Sequence, residues 1–139
     1  MFYGPDAHHT IDTFRVARKG ESLDVGDLDG YRTMLHLDDA ATAVVAALDV
    51  PAGIYNVGED EPATRAEHLQ IIAGLVGRTS LRRTFHHARK LGGSKTELLT
   101  RSQRVSSQKF KDASGWRPAY PNVRVGYPAV YAEMERAAA

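Results

Sequence analysis

The sequence predicts an α/β protein, on three observations. Met34–Leu37 is a short apolar run that meets paired acids at Asp38 and Asp39. Ala40–Leu48 follows, with Thr42 its only polar residue and with Leu37, Ala41, Val44 and Leu48 at helical spacing. Beyond Pro51-Ala52-Gly53, the run Gly53–Gly58 (GIYNVG) reads as a second, buried strand. Strand, helix and strand in succession form the centre of an α/β layer. An aspartate at the helix start suits the free N–H groups and the dipole there. A helix apolar almost all round is expected to be buried.

Length and composition set the bounds. A chain of 139 residues is expected to fold as one domain over residues 1–139. Its 42% hydrophobic and 25% charged residues are ordinary for a soluble globular protein. There is no apolar run of membrane-spanning length and no basic-then-apolar leader, so no membrane role and a cytoplasmic location are expected. The absence of cysteine excludes disulfides and thiolate metal sites.

The net charge of +1 conceals an asymmetry. Arg78 to Lys111 holds ten Lys or Arg and one acid, Glu97, leaving eight basic and sixteen acidic residues elsewhere. Two readings stay open: mutual neutralisation of solvated surfaces, or a wall of a pocket for an anionic ligand.

In chain order, Met1–Pro5 is the tail of a strand running into a turn. Asp6 is placed to cap a helix through Lys19, with Ile11, Phe14 and Ala17 or Arg18 inward and Gly20 ending it. Glu21–Gly30 reads as a loop. Adjacent His8 and His9 diverge on a helix and have no third ligand spaced to join them, so no metal site is expected. Thr64 and Glu67 form a capping box ahead of Leu69, Ile72, Ala73 and Val76, with Gly77 as the stop. Ser80–Phe85 reads as a short strand, and Ser94 with Glu97 as a second capping box opening a helix with Leu98 and Leu99. Arg101 and Arg104 share one face if that helix persists, to grip a phosphate or to complement the helix dipole. Ser106 or Ser107 caps a helix through Ala113, which Gly115 ends; Trp116 anchors the next loop. Val123, Tyr127, Val130, Tyr131 and Met134 share a face of a last helix that starts or kinks near Pro128.

No GxGxxG, GxxGxxG, P-loop, HExxH or GxSxG occurs, and no tyrosine is followed by a lysine four residues on. No catalytic residue is therefore assigned. Asp38 and Asp39 read as helix-capping residues rather than a catalytic pair. His36 beside them reads either as a hydrogen-bonded core residue or as a ligand contact.

Four segments occur in a telling order: FYGP at Phe2–Pro5, LHLDDAATAVVAAL at Leu35–Leu48, GIYNVGEDEP at Gly53–Pro62 and SGWRP at Ser114–Pro118. Together they resemble the C-terminal half of the NAD(P)-dependent epimerase/dehydratase family, the extended and atypical short-chain dehydrogenases; Leu37 stands where that family usually has valine. The resemblance implies the C-terminal part of a Rossmann-like fold: a few-stranded, partly parallel sheet, flanking helices and a small helical substrate lobe. In the family the glycine-rich turn and the Tyr-x-x-x-Lys pair precede the YGP motif, so the dinucleotide-binding portion is expected outside this chain. NAD or NADP is the implied cofactor, not bound by this chain alone, with Tyr3, Gly4 and Pro5 as a partial contact. Basic residues of the family's lobe often meet the diphosphate of a nucleotide-sugar, and Arg101 and Arg104 match them by position and charge; His36 is the third substrate-binding candidate.

The expected function is thus the substrate-binding part of a sugar-nucleotide epimerase/dehydratase-like oxidoreductase, inactive alone. The alternative is a non-catalytic interaction module that associates with itself or a partner chain. Nucleic-acid binding is disfavoured, because only Phe85 and Phe110 interleave with the basic segment.

Overall fold

A computed structural model describes residues 1–84, 97 and 99–139. Among the described residues six short strands and five α-helices follow in order: β1 (Phe2–Tyr3), α1 (His8–Arg18), β2 (Glu21–Ser22), β3 (Tyr31–Arg32), β4 (Leu35–His36), α2 (Leu37–Ala46), β5 (Ala63–Thr64), α3 (Arg65–Leu75), β6 (Arg82–Arg83), α4 (Gln108–Ser114) and α5 (Val123–Ala137). A 3-10 turn, Ala47–Asp49, extends α2. β1 pairs in parallel with β4, β2 in parallel with β6, and β3 antiparallel with β5. Among the described residues no helix is long and apolar enough to cross a membrane.

The core packs α1, α3 and α5 around β1 and β4 through Tyr3, Phe14, Ala17, Met34, Ile72, Val123, Tyr127 and Val130. On α1 the inward face is Thr10, Phe14 and Ala17 rather than Ile11, which is 38% exposed. Asp6 is not its cap: the N-cap is Ala7 with no side-chain bond, and Gly20 ends the helix at φ +82°. On α3 the capping box forms as expected, Glu67 Oε2 accepting from the Thr64 N–H at 2.8 Å. The last helix starts at Val123, capped by Asn122, and runs on through Pro128.

Gly126 on α5 lets Tyr3 into the core. A Cβ there would lie 1.7 Å from the Tyr3 hydroxyl, so only glycine permits the helix to cross β1 this closely.

A second, smaller cluster holds Leu35, Ala43, Phe110 and Trp116. Trp116 anchors its loop as expected, its Nε1–H donating to Thr42 Oγ1 at 3.0 Å. The paired acids do different work from that expected. The α2 cap is His36, whose Nδ1 accepts from the Asp38 N–H at 3.2 Å. The buried Asp39 carboxylate instead accepts the N–H groups of Ala119 and Tyr120, at 2.6 and 3.0 Å, fixing the loop after Trp116 to the helix.

Four further expectations are corrected. The helix at 37–46 is not buried all round: Val44, Val45 and Leu48 are 68%, 65% and 80% exposed, and the inward side is Asp39 and Ala43. Residues 53–58 form no strand, because the backbone of Gly58 exchanges both its bonds with the Ser107 hydroxyl; Ile54 is solvent-exposed. That use of Ser107 also removes it as a side-chain cap for α4. Finally, Glu21–Gly30 is not wholly loop, since β2 pairs with β6, the strand expected within Ser80–Phe85. The capping box at Ser94 lies outside the described residues.

Gly126→Ala should lower unfolding stability by about 1–3 kcal/mol, overpacking outweighing alanine's better helix propensity. Urea unfolding checks this; a variant as stable as the parent contradicts the close approach of α5 to Tyr3.

Candidate anion-binding cleft

The site grows from a residue in an unusual place. Arg65 is the first residue of α3, where the helix dipole disfavours a cation. Its side chain nevertheless folds inward and is 1% exposed. Nη2 donates to the carbonyls of Leu99 and Arg101 at 3.0 and 3.1 Å, and Nε lies 3.6 Å from Asp24 Oδ1. Nε and Nη1 are buried without a hydrogen-bond partner. Two glycines make room: a Cβ on Gly30 would lie 2.4 Å from Nη1, and Gly26, at φ +99°, also approaches the guanidinium.

Asp24 is shared, because it also pairs with Arg32 on β3. Burial, then the neighbouring Arg32, lowers the Arg65 pKa. A buried cation needs a counter-charge, and Asp24 supplies it, its Oδ2 also buried without a hydrogen-bond partner. Arg65, Arg32 and Arg101 together line a cleft of about 280 Å³ with Tyr31, Thr33 and Leu99. A second cavity of about 440 Å³ adjoins it, sharing Arg32 and Leu99 and lined mainly by apolar side chains.

Of the residues singled out from sequence, Arg101 reaches this cleft and Arg104 does not. Residues 101–107 are not helical, so the spacing of three does not put both on one face. Arg104 lies over the Tyr31 ring at 4.6 Å and lines a separate recess with Glu59, Asp60 and Lys111. His36 is 3% exposed, stacked on Tyr120 at 4.0 Å between ring centroids and bonded at the start of α2, as a core histidine would be. Tyr3 is fully buried against His36 and Tyr127, and Gly4 packs on Leu37, leaving only Pro5 of that turn partly accessible. Among the described residues no cluster of acids and histidines is arranged to hold a metal ion.

Known proteins bear on this arrangement. No protein-family model matches the sequence. A 3-diazoavenalumate denitrifying reductase from a Streptomyces species is 37% identical over 131 residues, which span 89% of this chain and 42% of that protein. A human epimerase family protein solved with NADPH superimposes on 94% of the chain with a TM-score of 0.82 at 18% identity, using 45% of its own length. The dTDP-glucose 4,6-dehydratase of Bacillus anthracis, solved with NAD, matches 98% of the chain and 42% of its own, with a TM-score of 0.72 at 20% identity. The chain shares the fold of these epimerase and dehydratase structures.

The chain spans less than half the length of each of those relatives. Sequence reasoning missed Arg65 and Arg32 in it. The available signal was Arg65 itself, a cation placed directly after the capping Thr64, against the dipole.

Beside the cleft, His68 and Tyr127 form a buried pair, the hydroxyl 3.0 Å from Nδ1. With His68 Nε2–H directed at the Arg32 carbonyl, Nδ1 accepts from Tyr127. Desolvation, then Arg32, pushes the His68 pKa down to about 4. Glu59, whose Oε1 accepts from the Met34 N–H at 2.7 Å, is pushed up by burial to about 7. The two act oppositely on stability. Between pH 4 and 6.5 the unfolded histidine binds the proton that the folded one refuses, so stability rises with pH. Between pH 4.5 and 7 the folded Glu59 keeps a proton that the unfolded one has lost, so stability falls with pH.

The two slopes offset each other near pH 5–6, each worth on the order of 3 kcal/mol across its window. Glu59→Gln should leave a stability profile that rises from pH 4 to 6.5, and His68→Gln one that falls from pH 4.5 to 7. Denaturant midpoints measured across pH check both signs; parallel profiles for the two variants contradict the assignment.

Proposed function

We propose that this chain is the substrate-binding portion of an NAD(P)-dependent oxidoreductase, that it takes an anionic organic substrate into the cleft at Arg32, Arg65 and Arg101, and that it turns over only with a dinucleotide-binding portion in place. One observation carries the reading: three arginines, Arg32, Arg65 and Arg101, line one cleft. Guanidinium groups offer planar paired donors that suit carboxylate and phosphate. Hydride transfer requires the nicotinamide held against the substrate, which is chemistry the cofactor supplies. Of this chain's own groups, the arginines would fix the anion, and the His68–Tyr127 pair lines the cavity beside the cleft.

Two substrate classes are in view. A nucleotide-sugar is the class implied by resemblance to sugar-nucleotide dehydratases. The relative closer in sequence is a reductase named for 3-diazoavenalumate, which favours net reduction of another organic acid.

A second surface supports the part assigned to a dinucleotide-binding portion. α2 turns Leu37, Val44, Val45 and Leu48 outward, beside exposed Phe2 and Ile54. Between Phe2, Val44, Tyr55 and Phe110 lies an apolar groove of about 350 Å³. An exposed apolar face of this kind marks an association surface. The two parallel residues of β1 lie at its edge, where a further strand of a parallel sheet would continue the ladder. The relatives of this fold are more than twice as long, and their dinucleotide-binding portion is the occupant we assign to this face.

Arg101→Ala, at an exposed position, should weaken pyrophosphate binding about tenfold while leaving the unfolding midpoint unchanged. Calorimetric titration checks this, and unchanged affinity contradicts the role of the cleft. The unmodified chain should self-associate through the α2 face at high concentration, and Val44→Glu with Val45→Glu should restore a monomer in sedimentation velocity. A monomeric parent contradicts the association surface.

A further inference from the structure

An exposed arginine loses rotamer freedom when it grips a ligand, and that ordering opposes binding. At Arg101 much of the ordering is already done. Its carbonyl accepts from Arg65 Nη2 at 3.1 Å, which holds the backbone from the buried side. Two residues on, Gln103 is held as firmly. Its N–H donates to the Tyr31 carbonyl at 2.9 Å, and its carbonyl accepts from Thr33 Oγ1 at 3.1 Å. The same Thr33 oxygen accepts from the Val105 N–H at 2.9 Å, so residues 103–105 are clipped alongside β3 and the turn into β4. From that anchor the Gln103 amide reaches back to Arg101. Its oxygen accepts from Arg101 Nη2 and Nε at 2.5 and 3.3 Å, in the amide orientation that sets its oxygen against donors and its nitrogen against acceptors. Both residues line the cleft.

The donor count leaves Arg101 able to work. A guanidinium carries five N–H donors, and Gln103 takes two of them, Nε–H and one Nη2–H. The second Nη2–H and the Nη1 pair remain, and with them the end-on fork that matches a carboxylate or phosphate. A neutral amide holds the guanidinium without adding charge, whereas a carboxylate at the same place would oppose an incoming anion. We propose that Gln103 is a positioning residue of the cleft: its side-chain oxygen sets the Arg101 guanidinium in advance, so that an anion meets an ordered fork. The inference rests on the anion-binding reading of Arg32, Arg65 and Arg101 and names the residue that tunes it.

The test titrates inorganic pyrophosphate into the full chain and into Gln103→Met, Arg101→Ala and the double variant. Methionine keeps the length of the side chain and removes the acceptor. Gln103→Met should weaken binding about three- to fivefold. The double variant should bind no more weakly than Arg101→Ala alone, because the amide acts only through the guanidinium. In the free chain, the Arg101 Nε–H should exchange with water several-fold faster once the acceptor is gone, as nitrogen-15 NMR reads directly. Circular dichroism confirms that each variant is folded. If Arg101→Ala weakens binding and Gln103→Met does not, or tightens it, the positioning role is overturned and the anion cleft stands. Equal weakening by Gln103→Met with and without Arg101 also overturns the positioning role, as does an unchanged Nε–H exchange rate. Binding that ignores both substitutions overturns the cleft as well.

Discussion

The burial of the Arg65 guanidinium is the constraint on which the rest of this structure depends. It draws four separate segments together: Asp24 and the two glycines of the loop after β2, the N-terminus of α3, the carbonyls of Leu99 and Arg101, and Arg32 through the shared aspartate. Each contact has a reason in elementary chemistry. A buried cation needs a counter-charge and acceptors, and flexible loops can bring carbonyls to it only where no Cβ intervenes. Gly30 meets that need through sterics and Gly26 through its positive φ as well.

The two working surfaces of the chain are chemically distinct. The cleft beside α3 is cationic at one end and apolar at the other, as a ligand site is. The α2 face is apolar throughout and open, as an interface is. They are served by different parts of the fold: the cleft by α3 and residues 99–103, the open face by β1, α2 and the extended residues after it.

Much of the fold was legible in the sequence where a local signal determines the outcome. Thr64 and Glu67 lie three residues apart and cap α3 without help from anything distant. Gly20, Gly77 and Gly115 end their helices with positive φ. The motif order led to the fold that the solved structures share. Signals failed where the outcome depends on a distant partner. The periodicity of an amphipathic helix shows its inner face, but 40–48 is apolar all round and carries no such information; which side is covered depends on what packs there. Asp39 binds backbone eighty residues away, so it read as a cap. GIYNVG has strand composition, yet a strand needs a partner, and Gly58 found the Ser107 side chain instead. Arg101 was picked out by charge density, whereas Arg104 was paired with it by a helical spacing that the chain does not keep.

The most direct measurement follows the side-chain Nε–H of Arg101, exposed at the cleft, by nitrogen-15 NMR during titration with pyrophosphate. That signal should move in proportion to site occupancy as the anion engages it. An Arg101 signal that stays fixed while ligand-induced shifts appear elsewhere on the chain would contradict the anion-binding cleft.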